Sequence, residues 1–296
     1  VGAQLARHGL FVGLSTLDLV YLAASPPHNN QKIVASDYMA AAGGPATNAA
    51  ITFSHLGNQA TLLGVVGAHP IAQLIRADLE SHGVKIADSD PKRIDPPAIS
   101  SIIVTQSTGE RAVVSINATQ SQIAVEQLPT LDLENVSIIL IDGHQMQISK
   151  VIAQEAQSKN IPIVVDGGSW KAGFEEILPL VNYVICSANF HPPNCCRPQE
   201  VFAYLQGLGI PHIAITYGEK SIQYFSLGEI GEVPVPAVKP VDTLGAGDIF
   251  HGAFCHYILQ ENFTNALTLS AKVASRSCQF FGTRQWMKEE TQADIL

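Results

Sequence analysis

"VSIILIDGHQMQISKVIAQEAQSKNIPIVVD", residues 136–166, holds two short apolar runs on either side of a helix-like segment. "VSIILID" (136–142) and "IPIVVD" (161–166) are continuously apolar rather than alternating, the pattern of strands covered on both faces. Between them "QISKVIAQEAQSKN" reads as a helix that carries the chain back to start a parallel neighbour. The same unit recurs in both directions. "GLFVGL" (9–14), "ATLLGVVG" (60–67), "NYVIC" (182–186) and "PHIAIT" (211–216) read as further strands. "PATNAAITFSHLG", closed by Gly57, and "PIAQLIRADLESHG", opened by Pro70 and closed by Gly83, read as helices, as does "QEVFAYLQGLG". Alternation of this kind implies a doubly wound α/β sheet, mostly parallel, over a single domain spanning 1–296.

Composition bounds the partners. The 296 residues are 46% hydrophobic and 15% charged, enough apolar material for a full core. A net charge of −9 and a pI near 5.5 argue against nucleic acid, which calls for a basic surface. No apolar run approaches the ~20 residues needed to span a bilayer, so no membrane role is expected. The opening "VGAQLARHGLFVGLS" reads as a first strand rather than a signal peptide. Cys186, Cys195, Cys196, Cys255 and Cys278 are odd in number and irregular in spacing. They read as reduced thiols of a cytoplasmic protein. "HPPNCCRP" (191–198) sets two cysteines side by side, a poor match to zinc-site spacing, and reads as a surface loop.

One region breaks the alternation. "ISSIIVTQSTGERAVVSINA" (99–118) reads as a hairpin turning at Thr108-Gly109-Glu110, and "QKIVASDYMAAAGG" (31–44) adds an extended piece. Together they predict a small sheet projecting from the main one, either a lid or a plain edge.

Two clusters carry chemistry. "VDTLGAGDIFHGAF" (241–254) sets Gly245-Ala246-Gly247 against Asp248 where a helix begins. Small residues admit a ligand close to backbone N–H groups, and a helix start attracts anions. Asp248 then stands where an anion site meets a proton acceptor. Ile249, Phe250, Ala253 and Phe254 give that helix its core face; His251 lies on the Asp248 side and reads equally as a site group or a structural histidine. In "AAGGPATNAA" (41–50), Gly43-Gly44 permit close approach and Asn48 offers donor and acceptor at a helix start. Asp18, just past the first strand's C-terminal end, lies where open α/β sheets bind ligands; taken singly it reads as a turn residue, and Asn48 as a helix-start residue. Asp18 and Asn48 could grip vicinal hydroxyls of a sugar. The P-loop and G-x-G-x-x-G fingerprints are absent, so any nucleotide is held another way.

The order of these clusters resembles the ribokinase-like (PfkB) carbohydrate kinase family. "GGPATNAAITFSHLG" is similar to its N-terminal signature and "DTLGAGDIFHGAF" to its C-terminal one. "VDTLGAGD", "CSANF" and "KVASRSC" look most like ketohexokinases, and "DIFHGAF" with "GTR" like the sulfofructose kinase branch. The resemblance implies a ribokinase-like fold with a β-lid and transfer of the γ-phosphoryl of MgATP to a sugar hydroxyl. It implies Asp248 as base and Gly245, Ala246 and Gly247 as anion hole. Asp18, Gly43, Gly44 and Asn48 match sugar contacts, Thr216 and Gly218 the nucleotide-binding T-x-G segment, and Asp242 a ligand of K⁺. It also implies a homodimer joined through the lid.

The chain departs from the family at three places. Ser221 stands where a second glycine is usual, Ala188 and His191 replace the N-x-x-E that orders Mg²⁺, and Thr16 replaces an asparagine that ribokinases use toward ribose. Thr16 points to a ketose instead. Two other readings compete. A nucleoside kinase would want an aromatic pair to sandwich a base, and no distinct pair is seen. A catalytically silent ligand-binding relative fits the altered nucleotide motif but not the intact Asp248 and its glycines.

Overall fold

The computed structural model describes residues 6–116 and 122–288. The main sheet comprises β1 (His8–Val12), β4 (Gln59–Gly64), β5 (Val84–Asp88), β8 (Ile138–Ile141), β9 (Ile163–Gly167), β10 (Tyr183–Ser187), β11 (His212–Tyr217), β12 (Lys220–Ser226) and β13 (Glu229–Val233). Their spatial order is β13-β12-β11-β10-β9-β8-β1-β4-β5. The seven strands from β11 to β5 are parallel, and β12 and β13 add an antiparallel edge. The chain runs outward from β1 to β5, then returns to β8 on the other side of β1. That reversal makes a crevice at the strands' C-terminal ends, where ligands of such sheets bind.

Both faces are covered, as the continuous apolar runs require. Phe11, Leu140, Val164 and Ala214 pack on one side with α1 (Pro45–His55), α2 (Ala72–Ser81), α6 (Ala246–Tyr257) and α7 (Phe263–Ser277). Val12, Ile141, Val165 and Ile213 pack on the other with α3 (Met146–Ser158), α4 (Phe174–Ile177) and α5 (Pro198–Gly207). Neighbours in sequence go to opposite faces, as strand geometry dictates. A fully buried side chain of this kind contributes roughly 1.5–3 kcal/mol relative to exposure.

The second sheet has the order β3-β2-β6-β7, from β2 (Thr16–Ala23), β3 (Asp37–Gly43), β6 (Ala98–Thr105) and β7 (Arg111–Ser115). Two expectations need correction. The small sheet takes a third segment, 16–23, beyond the two foreseen, and residues 31–36 are not strand. Asp18 is therefore no turn residue: it lies in β2, paired with Ala41 of β3 and Ser100 of β6. Only three residues separate β1 from β2, and that break is too short to read as a change of sheet. Residues 117 and 118 of the expected hairpin lie outside the described residues. The hairpin turn itself is present, with Gly109 at φ 69°.

Helices α1 and α6 approach closely because Gly252 has no side chain. A Cβ there would stand 2.3 Å from Ala49 O and 2.7 Å from Thr52 Cβ. A backbone oxygen cannot rotate away, so the helices would have to separate. Gly252→Ala is expected to lose about 1–3 kcal/mol to overpacking, outweighing the ~1 kcal/mol of helix propensity it gains. Urea denaturation should show a lower midpoint at unchanged m-value; an unchanged midpoint would mean the contact yields freely.

Candidate active site

The site is built at the crevice from two helix starts that face each other. Asp142, just beyond β8, sets the first. It is fully buried, and its Oδ2 accepts from Leu14 N (2.9 Å) and Ala46 N (3.1 Å). Its Oδ1 accepts from His144 N at 2.8 Å, with His144 Nδ1 at 3.1 Å. Burial alone would raise its pKa; the His144 charge and these hydrogen bonds overcome it and hold the carboxyl down at about 2. The end of β1 and the first turn of α1 are thereby fixed together.

Gly44, at φ 100°, precedes α1, and a Cβ there would meet Leu14 O at 2.5 Å. Gly43 is needed for another reason: a Cβ would fall 2.0 Å from Asp18 Oδ2. Asp18 also accepts from Thr16 Oγ1 at 2.8 Å. Burial raises its pKa despite hydrogen bonds from Thr16 and Ser100 and the nearby charge of Arg284. Thr16 thus orients Asp18. Asn48, one turn into α1, is buried, and its Nδ2 donates to Asp248 Oδ2 at 2.8 Å. Two residues 200 apart in sequence meet there.

Asp248 stands in the first turn of α6. Gly245 precedes that helix at φ 69°, in the left-handed region, with Thr283 Cγ2 2.7 Å from where its Cβ would be. Ile249 N donates to Gly245 O at 2.8 Å and closes the turn, while a helix start leaves its first N–H groups without intrahelical partners. Burial, and next the Asp166 carboxylate, push Asp248 up to about 7 against the pull of Asn48 and His251. Asp166, at the end of β9, is itself raised by burial, and its Oδ2 lies 3.4 Å from His251 Nδ1. His251 is part of the wall: Nδ1 lies 2.7 Å from Gly247 O and Nε2 3.1 Å from Ile185 O.

A cavity of about 580 Å³ adjoins the α6 start. Ala246 and Gly247 line it on one side, Thr216 and Gly218 on another, and Ile222, Val235 and Ala271 supply apolar wall. A Cβ on Gly247 would meet nothing within 4 Å, so a side chain there would take ligand space. Arg111 reaches the same cavity from β7, its Nη1 donating to Thr243 O at 3.2 Å. Asp242 is buried behind the α6 start. Its oxygens accept from Leu244 N (2.8 Å) and Gly282 N (2.9 Å).

The structure thus brings Asp18, Gly43, Gly44, Asn48, Gly245 and Asp248 together, and sets Thr216, Gly218, Ala246 and Gly247 around one cavity. Asp142, Asp166, Arg111 and Arg284 were not singled out from sequence. The signal for the first two was present, since both strand runs of residues 136–166 end in aspartate. Among the described residues no group of His, Cys, Asp or Glu is arranged to hold a metal ion, and no helix is long and apolar enough to cross a membrane.

Three relatives span nearly the whole chain. Ribokinase of Bacillus subtilis is 24% identical over 98% of this chain and 99% of its own length. Ketohexokinase of Mus musculus is 23% identical over 92% of this chain and 96% of its own. The structure of Arabidopsis thaliana ribokinase complexed with ribose and ATP superposes with a TM-score of 0.71 at 19% identity, covering 97% of this chain and 100% of that one. The family profile described as pfkB family carbohydrate kinase matches residues 8–290. The chain belongs to the pfkB family of carbohydrate kinases and is by family a phosphotransferase of the ribokinase fold.

Proposed function

We propose that the protein transfers the γ-phosphoryl group of ATP to a hydroxyl of a ketose, with Asp248 as general base. The observation that carries this reading is the Asn48–Asp248 contact: a buried carboxylate with raised proton affinity faces both a sugar-sized set of polar groups and a helix start. In the step, Asp248 takes the proton of the acceptor hydroxyl. The sugar oxygen bonds to the γ-phosphorus, and the bond to the β,γ-bridging oxygen breaks, releasing ADP. Asp18, Asn48 and the backbone at Gly43 and Gly44 hold the sugar. The first N–H groups of α6, at Ala246 and Gly247, stabilise charge on the phosphoryl oxygens; such transfer rests mainly on positioning and electrostatics. Thr216 and Gly218 border the nucleotide, and the Arabidopsis complex supports ATP as donor.

The residues present fit Mg²⁺ in its usual manner, through one or two carboxylates, water and the substrate's phosphates. Asp166, at the end of β9 and within Coulombic reach of Asp248, is the carboxylate that would hold it, and the ion would neutralise phosphate charge. K⁺ would sit at Asp242, whose oxygens each keep a lone pair after accepting one N–H. The small sheet, in the chain's single domain, serves as the lid: β2 carries Asp18 and β7 carries Arg111. Its exposed residues Tyr21, Tyr38 and Val114 would pair with a second copy.

An ADP-release assay with MgATP and a panel of ketoses, aldoses and nucleosides tests the function. A ketose is expected to give the highest kcat/KM, because Thr16 is engaged with Asp18 and lacks the asparagine used toward ribose. Ribose or a nucleoside at least tenfold ahead of every ketose would overturn the substrate, and no ADP with any sugar would overturn the activity. Asp248→Asn is expected to lower kcat ~10²–10⁴-fold, the usual worth of a general base. Its sugar Kd by calorimetry should change far less, since an amide oxygen can still accept from Asn48; kcat within threefold of the parent would remove Asp248 as base. Replacing K⁺ by tetramethylammonium at matched ionic strength should lower activity, and equal rates would remove the cation from Asp242.

A further inference from the structure

Arg284 is the most heavily bonded side chain near the site. It is 7% exposed and lies just beyond the glycine that bonds Asp242. Its Nη1 donates to Asn48 Oδ1 and Thr283 Oγ1, both at 2.9 Å, and to Thr283 O at 3.3 Å. Its Nη2 donates to Ala42 O at 2.6 Å and Asp78 Oδ2 at 3.2 Å, and Nε to the same Asp78 oxygen at 3.4 Å. Asp78 in turn accepts from Ala42 N at 2.9 Å. One guanidinium therefore joins α1, α2, β3 and the C-terminal segment.

The chemistry of the donors fixes more than position. A guanidinium has five N–H donors and no acceptor. The Asn48 atom that faces it must therefore be the amide oxygen. The other end of that amide, its NH₂, is then the end that meets Asp248 Oδ2. A flipped amide would set donor against donor at Arg284 and oxygen against carboxylate at Asp248. We propose that Arg284 is a positioning residue for phosphoryl transfer: it locks the Asn48 amide in the orientation that donates to Asp248, keeping that carboxylate ionised and its second oxygen available to the acceptor hydroxyl.

The groups around the pair pull in both directions. Asp166 from β9 and Asp18 from β2 favour protonation of Asp248; the Asn48 amide and His251 on α6 oppose it. Arg284 is the buried cation on this side, within Coulombic reach of Asp78, Asp18 and Asp248. Without it Asp248 loses both a nearby positive charge and the constraint on its hydrogen-bond donor. Its proton affinity then rises, and the ionised base is reached only at higher pH.

This inference rests on Asp248 as base, and the test separates the two. Arg284→Met keeps length and removes every donor; Arg284→Lys keeps charge but cannot serve Asn48 and Asp78 together. The acid limb of the kcat/KM profile for the sugar is expected to move up by about one pH unit in Arg284→Met, roughly a tenfold loss on the acid side beyond any loss on the alkaline plateau. Arg284→Lys should show a smaller shift. A purely structural role would lower the melting temperature and leave the limb in place, and that result would overturn the proposal. A measurement on the wild-type protein covers the case of a variant that does not fold. With ¹⁵N-labelled asparagine, the Asn48 side-chain amide signal should titrate over the range of the acid limb and lose that titration in Asp248→Asn. An Asn48 signal indifferent to pH would equally overturn it. Failure of the base assignment looks different: Asp248→Asn would keep its kcat whatever the Arg284 variants do.

Discussion

A carboxylate buried without solvent has to find its hydrogen bonds in the chain, and Asp142 finds them at three places at once. By accepting from Leu14 N, Ala46 N and His144 N it joins the exit of β1, the entry of α1 and the loop after β8. Those are the two strands between which the order of the sheet reverses. The crevice is therefore pinned by a group that stays ionised far below neutral pH. Gly13 follows from the same constraint, since a Cβ there would lie within 2.2 Å of the Asp142 carboxyl atoms. So does the placing of Gly44, which precedes α1, and of Asn48, which α1 carries from that anchor.

From Asp142 the polar contacts run across the crevice rather than along the chain. Asn48 reaches Asp248 on one side and Arg284 on the other, and Asp242 reaches Gly282 two residues before that arginine. The segment from Gly282 to Arg284 thus touches three parts of the site in turn: Asp242, the position beside Gly245, and Asn48. Low polarity strengthens each contact, and it makes an unpaired member costly. Asp18, Asp166 and Asp248 all hold protons more tightly than an ordinary carboxyl for this reason. Such a concentration of perturbed carboxylates is a feature of functional sites rather than of a stabilising core.

What the sequence showed and what it hid follow from the range of the interactions involved. Continuous apolar runs marked six of the seven parallel strands as covered on both faces, because burial acts on every residue of the run; β5, with one buried residue in five, carries no such run and was not read. The glycines at 43–44 and 245–247 were legible because close approach leaves a local mark. β7 was read from its turn, since all five of its residues are exposed and no burial pattern marks it. β2 was lost because a buried aspartate interrupts its apolar pattern and no loop announces it. The role of Asp78, like that of Arg284, depends on a partner 206 positions away, and no local pattern encodes that.

The two sheets contribute to the crevice differently. The main sheet contributes fixed ends: the starts of α1 and α6 are held by Asp142, by Asp242 and by the Gly252 contact. The small sheet contributes reach. Asp18 hangs from β2, and Arg111 extends from β7 to Thr243, at the margin of the cavity that Gly218 and Gly247 share. One strand layer thus carries Asp18 and also reaches the rim of that cavity. Met39 of β3 packs where Gly282 leaves room, so the layer also rests on the segment that carries Arg284. The small sheet is joined to Asn48 through Ala42 and Arg284, and Asn48 to Asp248. Asp248 is in this way tied to the small sheet by hydrogen bonds whose donors and acceptors admit one arrangement.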